Sequence, residues 1–130
     1  MTHARQLSNG KPFDIRERLF LFACSVVTMS QKLHSRGEIP GALSLQIVKA
    51  AVSAAANAEE ADDGSGDRDF RAKDRISLRE IKEARLRLRV LQASGYLDAA
   101  DDALIQESTE LKKILATIIR NNERNQSGRE

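Results

Sequence analysis

Residues 70–97 read FRAKDRISLREIKEARLRLRVLQASGYL. Phe70, Ile81, Ala84, Leu88 and Leu91 fall at helical spacing and form one apolar seam, and Ile76, Leu86 and Val90 form a second line. Gly95 follows the last periodic residue, where a helix commonly stops. The spacing predicts a helix from about Asp69 to Ser94. A stripe of basic residues runs down one side of it. A helix with this pattern buries its seam against other helices, so the rest of the chain must supply them.

Three more helices are legible around it. Before it, ADDGSGD (61–67) is an acidic, glycine-containing loop. The helix ahead of that loop should start near Pro40, whose fixed φ suits a first turn, and end near Glu60. It is rich in alanine and apolar almost all round, interrupted by a polar line of Gln46, Ser53, Asn57 and Glu60. The opening helix should run from about Ile15 to Ser35. Ile15, Leu19, Phe22, Val26, Met29 and Leu33 form its seam, Asp14 caps it with Glu17 completing a capping box, and Gly37 ends it. The closing helix begins after Asp98, a good N-cap, with Asp101 and Asp102 at the positive end of its dipole and Leu104, Leu111, Leu115 and Ile118 as its seam. Lys112, Lys113 and Arg120 sit toward its negative end, and NNERNQSGRE reads as a frayed tail. Short connections between long amphipathic helices predict an all-α, antiparallel up-and-down four-helix bundle. The domain plan is a tail over 1–12, a bundle over 13–122 and a tail over 123–130.

Composition narrows the function classes. The formal net charge is +2, so the chain is not a polycation, but its charge is uneven. Residues 98–110 hold five acids and no base, and residues 71–89 hold eight bases and three acids. A single cysteine excludes an internal disulfide, and Cys24, among Phe22, Ala23, Val26 and Val27, is expected to be buried and inert. No apolar run approaches the roughly 20 residues that span a bilayer, and the N-terminus has no apolar core of a signal peptide, so a cytoplasmic protein is expected.

Two residue sets are candidate sites. Arg71, Arg75, Lys82, Arg85 and Arg89 fall within a band of roughly 80° on a helical wheel at about 100° per residue. Such a row can track a phosphate backbone of RNA or DNA, or it can be a solvated outer face. No aromatic residue interleaves it, so binding through it would be electrostatic and non-specific. The second set is Glu80, Glu83 and Arg87 facing Ser53, Asn57 and Glu60, expected as a buried polar or interface network. The sharper alternative is acid–base catalysis by Glu80 and Glu83, but no Ser, Cys or His stands beside them. A ferritin-type di-metal site needs Glu-x-x-His pairs on facing helices. His3 lies in the tail and His34 is alone at the end of the first helix, so no metal, cofactor or enzymatic activity is expected.

Four stretches together resemble a known family. They are FDIRERLFLFA (13–23), QIVKAAVSAAANAEEA (46–61), DFRAKDRISLREIKEARLRLRVLQASGYL (69–97) and ESTELKKILATIIR (107–120). They are similar, in order and register, to the small bacterial four helix bundle proteins related to the products of intervening sequences in large-subunit ribosomal RNA genes. The resemblance implies a homopentamer of antiparallel bundles around a central channel, with a poorly defined biochemical role. It extends to the accessory variability determinant of diversity-generating retroelements, a pentamer that binds nucleic acid and a reverse transcriptase partner. This chain departs from the pattern at Leu86-Arg87, where many members have an aromatic pair, and at Ala54-Ala55, where Gly or Pro is frequent.

Overall fold

The computed structural model describes residues 14–63 and 66–129. They form four helices, α1 (Ile15–His34), α2 (Glu38–Ala61), α3 (Asp67–Ala93) and α4 (Ala99–Arg129), and no strand. Each helix packs against its neighbours in sequence, and α4 closes the ring against α1.

Pairs of contacting residues fix the directions. Ser30 meets Ser44 while Arg16 meets Asp62. Gln46 meets Arg87 while Glu60 meets Lys73. Arg71 meets Asn122 while Gln92 meets Asp102. Arg18 meets Glu107 while Lys32 meets Asp101. In every case one number rises as the other falls, so all four adjacent pairs are antiparallel.

The core follows most of the predicted seams, but Phe70 and Ile118 are only half-buried and Ile119 is buried where Ile118 was expected. Leu19, Phe22, Val26, Met29 and Leu33 of α1 are buried with Ile47, Ala50, Ala51, Ala54 and Ala58 of α2, and with Ile81, Ala84, Leu88 and Leu91 of α3. Leu111 and Leu115 of α4 complete it. The alanines of α2 let α1 and α3 approach closely, and small polar residues work beside them. The Ser30 and Ser44 hydroxyls share a buried hydrogen bond of 2.8 Å. Ser77 Oγ donates to the Ala54 carbonyl at 2.7 Å.

The helix ends are locally encoded. The Asp14 carboxylate accepts from the Arg16 amide at 2.9 Å, and this bond with the Arg16 guanidinium beside it holds its carboxyl below the usual range. The return bond expected from Glu17 is not formed; Glu17 is exposed. At the end of α3, Gly95 takes φ +83°, and the amides of Gly95 and Tyr96 bond the carbonyls of Gln92 and Leu91, a Schellman motif. Asp98 Oδ1 accepts from the Asp101 amide at 2.8 Å, the predicted cap of α4.

Several expectations need correction. Cys24 is exposed, because it lies some 200° around α1 from Phe22, outside the seam its sequence neighbours occupy. Phe20, Leu21 and Val27 are exposed with it. The second apolar line of α3 lies toward the surface, with Leu86 and Val90 59% and 44% exposed. α4 continues to Arg129, so the tail expected from residue 123 is helical, and Glu123 pairs with Arg75. α2 has the length and mean hydropathy to cross a bilayer, contrary to the reading of its sequence. Here its apolar residues are split between the core and a surface line of Ile39, Leu45 and Val52. The expected tail over 1–12 lies outside the described residues.

Candidate nucleic-acid interface

The basic stripe of α3 faces α4. Arg71 donates to Asn122 Oδ1 at 2.8 Å, Arg85 Nε donates to Thr109 Oγ1 at 2.8 Å, and Arg75 pairs with Glu123. These contacts extend the three guanidinium stems across the α3–α4 seam. Lys82 and Arg89 are exposed.

Helix α4 enlarges the stripe into a face. A groove of about 470 Å³ runs between the two helices, with Leu78 and Ala116 in its wall and Lys82, Lys112, Lys113 and Arg120 around it. Among the described residues, no carboxylate lies within ion-pair distance of Lys82, Arg89, Lys112, Lys113 or Arg120. The one carboxylate paired on this face is Glu123, held by Arg75. Cations of one sign along a shallow groove create a local potential far above what a net charge of +2 suggests. The stripe on α3 was readable from spacing. The contribution of α4 was not, because Lys112, Lys113 and Arg120 also suit the dipole of their own helix.

The second predicted set is brought together differently. Glu60 pairs with Lys73 at 3.0 Å, Arg87 with Glu83 at 3.8 Å, and Arg87 Nε donates to Gln46 Oε1 at 2.9 Å. Asn57 Nδ2 donates to the Ser53 carbonyl at 2.9 Å, and Glu80 sits beside Arg79. Of these contacts, the Arg87–Gln46 bond joins the two predicted lines, while Glu60 reaches Lys73 and the rest stay within one helix. The two lines are half-exposed and form separate pairs, not one buried network: the Glu60 and Glu83 side chains are 56% and 47% exposed. Antiparallel packing aligns the lines, but the alanine core lies deeper and leaves them at its rim. Glu80 and Glu83 each turn to a different arginine and line no common pocket. His34 is exposed, its Nδ1 at 3.1 Å from the Ser30 carbonyl.

Two buried charges escaped the sequence reading. Arg18, 2% exposed, makes two bonds to Glu107 at 2.6 and 3.1 Å and approaches Glu110 at 3.6 Å. The bonded Glu107 carboxylate raises its pKa further. Arg18 flanks a groove of about 620 Å³ between α1 and α4. Asp74 is 4% exposed and, among the described residues, has no hydrogen-bond or ion-pair partner. Both were visible as breaks in a seam. Arg18 is three residues after Ile15 and four before Phe22, and Asp74 and Ser77 fill the 4-3-4 steps from Phe70 to Ile81.

The architecture is that of a small all-α bundle protein with a cationic face. Residues 11–117 match the family described as 23S rRNA-intervening sequence protein, and the chain belongs to that family. A crystal structure from Bacteroides thetaiotaomicron, described as a protein of unknown function from the S23 ribosomal protein family, superposes with a TM-score of 0.73. It is 27% identical, over 82% of this chain and 98% of that one. No functionally curated protein matches the chain.

Proposed function

We propose that this protein is a non-enzymatic homo-oligomer, a pentamer by the family resemblance, that binds nucleic acid non-specifically through the α3–α4 face. One observation carries the binding: Lys82, Arg89, Lys112, Lys113 and Arg120 present charge that no carboxylate of the described chain neutralises. Phosphates would supply the missing counter-charge and release condensed counterions, so affinity should fall steeply with salt. Assembly supports the reading, since copies of one weak face act together. Exposed Phe20, Val27, Leu45 and Val52 on α1 and α2 offer apolar surface for such contacts, away from the cationic face.

The test is a titration of mixed-sequence RNA and duplex DNA against nuclease-treated protein at low and moderate salt, with native mass measurement alongside. Salt-sensitive binding by an oligomer is the expected result. Absence of binding at low salt would leave the second reading, a scaffold acting through its apolar surface. A monomer at micromolar concentration would remove the assembly.

A further inference from the structure

We infer that the cavity at the α2–α3 loop end of the bundle is a binding site for a small organic amine, with Asp74 receiving the ammonium group. The cavity measures about 320 Å³. Ile15, Phe70 and Ile118 give it apolar walls, and Asp14, Asp62 and Asp74 give it carboxylates. Among the described residues the only cation lining it is Arg16, which is already committed. Its guanidinium bonds Asp14 at 3.0 Å and Asp62 at 2.7 Å. From α1 the charged groups at the cavity are thus Asp14 and Arg16, from the end of α2 Asp62, and α4 contributes only Ile118.

That leaves Asp74 alone. It is nine-tenths buried, and among the described residues it has no hydrogen-bond or ion-pair partner. Burial, and next the charge of Asp62, push its carboxyl up to about 6. Once ionised it has no counter-ion among the described residues, an arrangement proteins seldom keep unless something supplies one. No group of three His, Cys, Asp or Glu among the described residues is placed to hold a metal ion. A primary ammonium needs less: one carboxylate, an apolar body to fill the walls, and the face of Phe70, which attracts cations. This site lies at the start of α3, apart from the groove at Lys82, and stands or falls independently of nucleic-acid binding.

The experiment uses butylamine and putrescine as probes and butanol as the uncharged comparator, followed by carboxyl-detected NMR on the full chain. At about pH 7.5 both amines should saturate, butanol should not, and the pKa of Asp74 should fall on amine addition. Asp74→Asn should weaken the amines by about tenfold or more, the loss of one charge-assisted bond. Protonation at about pH 5 should do the same to the wild type. Equal affinity in Asp74→Asn, or an Asp74 pKa that amine leaves unmoved, would overturn the assignment. The wild-type NMR measurement needs no variant, so it decides the matter even if the substitution disturbs folding.

Discussion

On the flank of α3 that meets α2, the cations find acceptors: Lys73 has Glu60, and Arg87 has Glu83 and Gln46. On the flank that meets α4, Lys82 and Arg89 find none, and α4 answers with Lys112, Lys113 and Arg120. One helix thus carries two charged flanks of opposite meaning. The first is a half-exposed seam whose charges cancel locally and contribute little to stability. The second, apart from the Arg75–Glu123 pair, concentrates like charge that no carboxylate of the described residues balances. Charge count along a helix does not separate these cases; the identity of the facing residue does.

The comparison breaks most visibly in binding. Replacing Lys82, Lys112 and Lys113 together by Glu should weaken RNA and duplex DNA by about a thousandfold at low salt. The slope of log affinity against log salt should shrink by about 3. Lys73→Glu with Arg87→Glu, two charge reversals on the α2 flank against three on the other, should leave affinity within a few-fold. Filter binding or fluorescence anisotropy across salt, with circular dichroism to confirm helicity, separates the flanks. Equal losses from both sets would mean that overall charge, and not the α4-facing groove, drives binding.

A third kind of charge lies inside, and there stability is the readout. Removing the partner of Arg18, as in Glu107→Leu, should cost about 3 kcal/mol, because a guanidinium only 2% exposed keeps just the longer contact to Glu110. Arg18→Met combined with Glu107→Leu should recover most of that loss, since the seam then closes over apolar groups. Urea unfolding of the two variants checks the ordering.

Asp74 should act in the opposite direction. Its folded carboxyl titrates near 6 against an ordinary value of 3.8, so the folded state holds the proton more tightly than the unfolded state does. Stability should therefore rise as pH falls from above 6 toward 4, by about 2–3 kcal/mol from this group. Asp74→Asn should be more stable than the wild type at neutral pH and lose that part of the pH dependence. Thermal melts across this range measure it, and a variant as pH-sensitive as the wild type would show that another group is responsible.

How much of this was legible follows from what each residue needs to know about its surroundings. The seams of α1 and α3, the cap at Asp14 and the stop at Gly95 depend on residues three to five positions away, and spacing reveals them. Cys24 failed because apolar neighbours were read as burial, although its angular position on the helix places it outward. The unpaired state of Lys82 depends on which side chains of α4, some thirty residues on, stand across the groove. Periodicity within one helix carries no information about that. Arg18 and Asp74 lie between: their seam positions announce burial, but their partners, or lack of them, belong to the packed molecule.

The smallest effect belongs to the α2 flank, and it tests the premise that this flank is energetically quiet. The Arg87 and Glu83 side chains are 31% and 47% exposed and 3.8 Å apart, one helical turn in the favourable order. Water already screens both, and Arg87 keeps its bond to Gln46 at 2.9 Å when Glu83 is lost. Glu83→Gln should therefore shift stability by about 0.3 kcal/mol. It should also leave nucleic-acid affinity essentially unchanged, because the charge it unmasks points along the α2 seam and away from the α4 groove. A loss near 2 kcal/mol would reveal that the seam is desolvated in the assembled protein. Glu83 would then belong to an interface between copies, and the contrast between the two flanks would become one between a buried contact and an open binding face.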